Sequence, residues 1–353
     1  MKILITGGCG FIGSSLVKLF TNSNKNSVLN IDKLTYAANQ NNLADIEGQK
    51  SYSFIQVDIC DKSALSNIFK EFKPEIVYHL AAESHVDRSI DKPSAFIETN
   101  ITGTYNLLEA SLAFYKTLTL DQKKKFRFVH VSTDEVFGSL QTDDSAFTRH
   151  SSYKPRSPYS ASKASSDHLA KSWFHTYGFP TIISNCSNNY GPFQFPEKLI
   201  PLTIISCLNK TKIPIYGNGN NIRDWLYVGD HCEALKEIGE KGIIGETYMI
   251  GGNTEKTNLD IANLICQFFD NLLPNSGAPK YGDLIEFVAD RPGHDFRYAI
   301  DISQTTREIG WVPKISFEEG LASTIRWYLE NKNWWKEIHN RSYKGERLGL
   351  TRL

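Results

Sequence analysis

The sequence lacks the features that would place it in a membrane or on a polyanion. Its 353 residues hold no apolar stretch of bilayer-spanning length. Lys+Arg number 39 and Asp+Glu number 39, for a formal net charge of +0. That balance excludes a broadly basic surface for nucleic acid or anionic lipid, and leaves room only for a local basic pocket. The cysteines Cys9, Cys60, Cys186, Cys207, Cys232 and Cys266 form no C-x-x-C pair, so no metal site or redox dithiol is expected. Several lie in apolar runs, which favours buried free thiols over disulfides. There is no signal-peptide layout, and the default expectation is a cytoplasmic protein. Internal repeats and low-complexity tails are also missing. Hydrophobic residues at 41% and charged residues at 22% suit an ordinary globular chain, long enough for one large domain and a smaller one.

What is present begins at the first residues. Met1 to Thr6 is a short apolar run that reads as a strand. It meets Gly7-Gly8-Cys9-Gly10-Phe11-Ile12-Gly13 and passes into a helically periodic stretch, Ser14 to Phe20. Three glycines alone could be an ordinary turn. Between a strand and a helix they point to dinucleotide binding. Gly7 would permit the tight turn, Gly10 would leave space for a pyrophosphate, and Gly13 would let the helix lie close to the sheet. The helix N-terminus would offer N–H groups to the phosphates. A second strand, Ser27 to Ile31, ends in Asp32, about 20 residues past the glycines, where an acid accepts ribose hydroxyls. A carboxylate there would repel a 2′-phosphate and favour NAD over NADP, although Lys33 beside it works the other way.

Further strands read at Tyr52–Val57, ending in Asp58, at Ile76–Leu80 and at Phe126–Val131. Helices read at about Lys62–Phe72, Ser94–Tyr115 and Tyr159–Tyr177, and a strand at Thr181–Ser184. The alternation predicts an α/β fold, a Rossmann-like doubly wound parallel sheet with a smaller C-terminal substrate-binding lobe. Residues 1–185 would form the dinucleotide domain with a return segment near 223–250, and 186–222 with 251–353 mainly the lobe. The polar stretch Gln141–Ser157 reads as a loop over the site, and Ser342–Leu350 shows no periodicity. Ligands in such sheets sit beyond the C-terminal strand ends. Gly7 to Gly13, Asp32, Asp58, Ala81 to Ser84 and Ser132 to Glu135 should therefore line one crevice.

Tyr159-Ser160-Ala161-Ser162-Lys163 sets a tyrosine and a lysine on one helix face. A tyrosine of pKa about 10 is a poor base at neutral pH. A nearby ammonium, and the positive ring of a nicotinamide, would favour its phenolate. Thr133-Asp134-Glu135 follows the fifth strand. Adjacent acids are usually a solvated loop, but a simple dehydrogenase needs only the tyrosine, the lysine and a hydroxyl such as Thr133. Two extra carboxyl groups suggest two extra proton transfers, one of them from an acid whose pKa is raised. Ile222-Arg223-Asp224-Trp225 and Asp290–Tyr298 concentrate cations and aromatics, suited to a nucleotide diphosphate.

These residues carry a family resemblance. Gly7 to Gly13, Asp32 and Tyr159 with Lys163 resemble the extended short-chain dehydrogenase/reductase family. Asp32–Ala37, His79–Ser89, Ser132–Val136, the Asn188 and Lys198 segments, Arg223–Tyr227 and Arg291–Asp295 resemble, more closely, the dTDP-glucose 4,6-dehydratase family. The resemblance covers nearly the whole chain. It implies an NAD-dependent lyase of deoxysugar biosynthesis, such as that of rhamnose, and a homodimer through the Ser94–Tyr115 and Tyr159–Tyr177 helices. Its reaction would be C4 oxidation, loss of water across C5 and C6, and hydride return to C6. Tyr159 would take the 4-hydroxyl proton, Glu135 the C5 proton, and Asp134 would protonate the leaving 6-hydroxyl, while Thr133 orients the sugar. Besides the glycines, Asp32, Tyr159 and Lys163, the cofactor would touch Phe11, Ile12, Lys33, Leu34, Thr35, Asp58, Ile59, Leu80, Ala81, Ala82, Thr99 and Asn189. Ser84, Asn188, Lys198, Leu199, Tyr216, Arg223, Asn258, Arg291 and His294 would hold the nucleotide sugar. Phe137 and Phe193 stand where tyrosine is common, Gln194 where histidine is, and Ala38 where glycine is. Phe193 and Gln194 would border the substrate.

Three other readings compete. A nucleotide-sugar 4-epimerase or decarboxylase would share the scaffold, but related epimerases usually lack the Asp134–Glu135 pair. A UDP-glucose 4,6-dehydratase would differ only in the ligand's base and 2′-position. A binding protein without activity would have no need to keep Tyr159, Lys163, Asp134 and Glu135 together. The cofactor reading has a direct test. The unmodified protein should bind NAD⁺ more tightly than NADP⁺, as measured by titration of each. The reverse order would remove Asp32 from the ribose role and give the preference to Lys33.

Overall fold

The computed structural model describes residues 1–23, 25–272 and 280–341, with Tyr343 and Leu348. The first half alternates strand and helix. β1 (Lys2–Thr6), α1 (Phe11–Thr21), β2 (Ser27–Asp32), β3 (Tyr52–Gln56), α2 (Lys62–Phe72) and β4 (Ile76–His79) lead to the short helices α3 (Val86–Asp91) and α4 (Pro93–Phe96). Then come α5 (Thr104–Thr117), α6 (Leu120–Lys125), β5 (Arg127–Thr133), α7 (Pro158–Tyr177) and β6 (Thr181–Cys186). The second half holds β7 (Asn188–Tyr190), α8 (Leu199–Asn209), β8 (Ile213–Tyr216), β9 (Ile222–Tyr227), α9 (Val228–Lys241), β10 (Thr247–Ile250) and β11 (Glu255–Thr257). It closes with α10 (Asn258–Leu272), β12 (Ile285–Val288), α11 (Ser303–Ile309), α12 (Phe317–Glu330) and α13 (Lys332–Arg341).

Seven strands form one sheet in the order β10-β6-β5-β4-β1-β2-β3. Every pairing in it is parallel. This is the doubly wound Rossmann-type arrangement, with its change of winding direction between β1 and β4. The central strands are buried on both faces: β1, β4, β5 and β6 carry Ile3, Leu4, Ile5, Val77, Tyr78, Phe128, Val129 and Ile182 with almost no exposure. The second half builds a three-stranded sheet, β11-β9-β7, and a parallel β8–β12 pair. Its own core gathers Ile204, Ile215, Ile265, Phe269, Ile325 and Tyr328. The chain crosses back after β9. α9 lies beside α1, and β10 joins the large sheet next to β6.

Two local expectations need correction. The helix read at Ser94–Tyr115 is interrupted by a π-helical turn, Ile97–Gly103. The widened turn brings the Asn100 side chain under the segment that follows β4. Its Oδ1 accepts from Glu83 N at 2.8 Å, and its Nδ2 donates to Glu83 O at 2.9 Å and Ser162 Oγ at 2.8 Å. A regular helix would leave the half-buried Glu83 backbone without these partners. The polar stretch 141–157 does not cover the crevice. It runs along residues 297–301, with Leu140 N donating to Arg297 O and Phe147 N to Ala299 O, and it buries Phe147 in the main core. Its few apolar side chains, spaced irregularly, hid that role.

Among the described residues no helix is long and apolar enough to cross a membrane. All six cysteines are free, and only Cys60 is partly exposed.

The fold is tightly packed where α1 meets β1. A Cβ at position 13 would stand 2.1 Å from Gly7 O and 2.8 Å from the Gly8 Cα, both backbone atoms. Gly13→Ala should therefore force α1 off the sheet. We expect a loss of about 1–3 kcal/mol in denaturant unfolding, with weakened dinucleotide affinity. An unchanged midpoint would mean that the helix can slide freely.

Candidate active site

The β1–α1 turn opens on a deep crevice. Gly7 adopts φ +74° and backs on Ala81, whose N would be 2.7 Å from an added Cβ. Gly10 precedes the first turn of α1 and makes no side-chain cap, so the first N–H groups of the helix face the crevice without a protein acceptor from the cap residue. Asp32, at the end of β2, is buried. Its Oδ2 accepts from Cys9 N at 2.9 Å and its Oδ1 from Leu34 N at 2.8 Å. It therefore braces the glycine turn and the next loop at once, and each oxygen retains lone pairs. Burial raises its pKa, opposed by those two backbone bonds. Lys33 does not stand free: its Nζ pairs with Asp58 Oδ2 at 2.5 Å. Burial raises the Asp58 carboxyl, but Lys33 and the bond from Cys60 N outweigh it and hold it below the ordinary range.

Gly7, Gly10, Phe11, Ile12, Gly13, Asp32, Lys33, Thr35, Asp58, Ile59, Leu80, Ala81, Ala82, Thr99 and Asn189 all border this crevice, with Tyr159 and Lys163. Leu34 is the exception. It takes a left-handed conformation, φ +61°, and its side chain packs on the main core. The glycine turn and the uncapped helix end fit a dinucleotide pyrophosphate, and Asp32 fits a ribose.

α7 begins at the far wall, capped by Ser157 and Ser160 in a reciprocal box. Its first turns carry Tyr159 and Lys163 into the crevice, one turn apart. Lys163 Nζ donates to Val131 O at 2.7 Å. Burial lowers its pKa, while Asp167 beneath it favours the ammonium. The Tyr159 phenol is pushed well above its ordinary range by burial and then by Glu135, with a Thr133 hydrogen bond acting the other way. Lys163 does not offset this rise, so the phenolate expected of an ammonium and a nicotinamide together does not come from the lysine alone.

Asp134 and Glu135 form a tight turn after β5, with Thr133 Oγ1 accepting from Glu135 N at 3.3 Å and donating to Asp134 Oδ1 at 3.3 Å. The two neighbours meet different surroundings. Asp134 is 1% exposed and its Oδ2 has no hydrogen-bond partner among the described residues. Burial, then Glu135 and Asp224, push its carboxyl well above the usual range. Burial also raises Glu135, and its carboxyl stays above the ordinary range although Arg291, Arg223 and Lys198 oppose the rise. Neighbouring acids add to the rise of the first carboxyl, whereas three cations oppose that of the second.

Beyond Glu135 the crevice widens into a second chamber. Asn188, Lys198, Leu199, Tyr216, Arg223, Asn258, Arg291 and His294 border it. Ser84 and Thr133 lie on the cofactor side of the junction, with Asn188 and Lys198 shared by both spaces. Arg291 Nη1 donates to Asp87 Oδ1 at 2.8 Å, and Tyr216 Oη to Asp87 Oδ2 at 3.1 Å. His294 Nδ1 meets Asp290 Oδ1 at 2.6 Å. Arg223 is not an open fork. Its Nη1 donates to the Ile222 and Phe296 carbonyls and its Nη2 to Asp295 O, while its plane lies over the Tyr298 ring at 4.4 Å. It offers charge rather than a bidentate grip.

Phe193 is also corrected. It turns away from the chamber and stacks with Trp327 at 4.6 Å and under Lys18 Nζ at 4.4 Å. Gln194 borders both spaces, Ala38 borders the crevice, and Phe137 is buried against Phe147. Sequence reasoning missed Asp87, Glu197 and Asp224 as site residues. The first two stand inside motifs that had been noticed, but only folding joins their carboxylates to Arg291 and Arg88. Of the uninterpreted 342–350 stretch, Tyr343 and Leu348 border the second chamber; its other residues lie outside the described ones.

A Rossmann sheet whose crevice holds a Tyr–Lys pair and leads into a cation-lined second lobe defines the extended short-chain dehydrogenase/reductase class. The model of the family described as GDP-mannose 4,6 dehydratase matches residues 4–324, and the chain belongs to that family. It is 54% identical over 360 residues to a dTDP-glucose 4,6-dehydratase from Escherichia coli, covering 99% of both chains. It is 52% identical over 350 residues to that of Neisseria meningitidis serogroup B, again covering 99% of both. Among solved structures it resembles the DesIV double mutant, a dTDP-glucose 4,6-dehydratase from Streptomyces venezuelae with NAD and DAU bound. There the TM-score is 0.86 at 40% identity, covering 96% of this chain and 100% of that one.

Asp134 gives a test independent of turnover. Its pKa is raised by folding, so the proton it holds stabilises the native state only at low pH, and that contribution is lost as pH rises through the folded value. Asp134→Asn cannot ionise. It should unfold at a higher denaturant concentration than the parent at about pH 8, with the advantage fading towards about pH 4, the ordinary carboxyl range. A variant less stable than the parent at pH 8 would show that the buried carboxyl is not under strain.

Proposed function

We propose that this chain is an NAD-dependent dTDP-glucose 4,6-dehydratase, a hydro-lyase that forms dTDP-4-keto-6-deoxyglucose. The observation that carries the reading is the contrast between Asp134 and Glu135: adjacent carboxyls, one pushed up by burial and neighbouring acids, the other faced by Arg291, Arg223 and Lys198. A plain dehydrogenase or a 4-epimerase has no use for such a pair. The relatives named above support the dehydratase assignment over the whole chain length.

Bound along the glycine turn and Asp32, NAD⁺ would supply the hydride acceptor for C4, the donor for C6 and a positive ring charge near Tyr159. The protein's own groups handle the protons. Tyr159 Oη takes the proton of the sugar 4-hydroxyl, helped by Lys163 and by the Thr133 hydroxyl. The resulting 4-ketone acidifies C5–H, and Glu135 removes that proton. Asp134 gives its proton to the 6-hydroxyl, which departs as water, and the C5–C6 double bond forms. Glu135 then returns a proton to C5. Lys198, Arg291 and Arg223 place positive charge against the nucleotide diphosphate, with Asn188, Leu199, Tyr216, Asn258 and His294 bordering the same chamber. As part of the same reading, two copies would pair through the α5 and α7 faces, where Tyr105 and Tyr177 are exposed on either side of Trp173.

Isotopes test the sequence of steps. dTDP-glucose carrying deuterium at C4 should give product with that deuterium at C6 of the same molecule. Reaction of unlabelled substrate in D₂O should place one deuterium at C5. Asp134→Asn should slow the loss of water by roughly 10²–10⁴-fold while oxidation at C4 continues, so that reduced cofactor accumulates in a single turnover. Washout of the C4 label to solvent would overturn the mechanism.

A further inference from the structure

Three segments that meet between the crevice and the chamber are locked by one buried carboxylate. Tyr36 lies in the loop after β2, one residue past Thr35, which borders the crevice. Arg88 lies in α3. Glu197 lies in the turn before α8, and its side chain is 2% exposed. Tyr36 Oη donates to Glu197 Oε1 at 3.2 Å, and Arg88 Nε donates to Glu197 Oε2 at 2.9 Å. The Arg88 guanidinium lies over the Tyr36 ring, with its Cζ 3.7 Å from the centroid. Phe195 packs edge-on against the same ring at 5.4 Å. Glu197 and Lys198 border both spaces.

We propose that Tyr36, Arg88 and Glu197 form a positioning clamp through which dinucleotide binding and nucleoside-diphosphate binding reinforce each other. The proposal rests on the function given above, but on none of its proton transfers. Glu197 touches no reacting atom in this scheme; it acts through its neighbours. A dinucleotide held by Asp32 and Thr35 fixes the loop that carries Tyr36. That loop turns sharply at Leu34, φ +61°, held by the same Asp32 carboxylate. With Tyr36 in place, the buried Glu197 keeps its second donor and Arg88 keeps its ring. Movement of the loop would take the hydroxyl from a carboxylate buried in the protein and the ring from beneath Arg88. Glu197 is joined directly to Lys198, whose N donates to Phe195 O at 3.2 Å and whose Nζ donates to Ser84 O at 3.3 Å. A diphosphate engaged by Lys198 fixes the clamp from the other side. Two ligands that favour one arrangement must each tighten the other by the same factor.

Calorimetric titration with dTDP measures this directly, using the full chain saturated with NAD⁺ and the same chain stripped of it. The parent should bind dTDP roughly tenfold more tightly in the presence of NAD⁺. Tyr36→Phe keeps the ring under Arg88 and removes only the hydroxyl. It should retain binding of each ligand while its coupling factor falls to about threefold or less. Glu197→Gln should behave alike. If the clamp merely stabilised the fold, the variants would lower the unfolding midpoint and leave the ratio intact. If the parent bound both ligands without coupling, or if Tyr36→Phe kept the full ratio, the clamp would be refuted and the proposed function would stand. If the parent bound neither NAD⁺ nor dTDP, the proposed function would fall and the clamp with it.

Discussion

The approach of α1 to β1 is the constraint on which the rest of the molecule depends. Gly13 lies against the Gly7 carbonyl with no room for a methyl group, and Gly7 lies against Ala81 in the same way. These contacts bring the N-terminus of α1 and the segment after β4 to one edge of the sheet. That edge lies beside the switch in winding between β1 and β4, where a parallel sheet leaves space for a ligand. Once the crevice is set there, Asp32 at the end of β2 and Thr133 at the end of β5 must face into it, because parallel strands deliver all their C-termini to the same side.

The second organising effect is electrostatic and local. A chain with a net charge of +0 nevertheless gathers Lys198, Arg223 and Arg291 around Glu135. Each cation is itself restrained, Arg291 by Asp87 and Arg223 by three backbone carbonyls. The chamber thus brings three cations together among its own carboxylates, Asp87, Glu135 and Glu197, without a basic protein surface. Asp134, one residue away, meets burial, Glu135 and Asp224, with Arg223 alone of these cations opposing the rise. A single peptide bond separates two carboxyls that are both pushed up but opposed to different degrees, and the difference comes from the surroundings of each side chain.

Much of this was legible in the chain. The glycine spacing after an apolar strand, the acid at the end of the second strand, the regular alternation of strand and helix, and Tyr159 one helical turn before Lys163 are local patterns with local causes. So were the bounds of α2, since its apolar positions recur at helical spacing from Lys62 to Phe72. The long helix at 94–115 was read too simply, because the π turn answers a demand from Glu83 and Ser162, residues far away in sequence. The loop at 141–157 was placed over the site because polar residues suggest exposure, yet Leu140 and Phe147 anchor it to the 297–301 segment.

The sequence by itself determined the sheet type, the dinucleotide crevice and the identity of the chemical groups, because those follow from short-range periodicity and spacing. Only the tertiary structure decided what state those groups are in. It paired Lys33 with Asp58, turned Phe193 away from the chamber towards Trp327, spent the fork of Arg223 on carbonyls, and joined Tyr36, Arg88 and Glu197 across more than a hundred residues. The physical reason is range. Hydrogen-bond periodicity is set by neighbours along the chain, whereas desolvation and charge pairing depend on whatever the fold brings within a few ångströms.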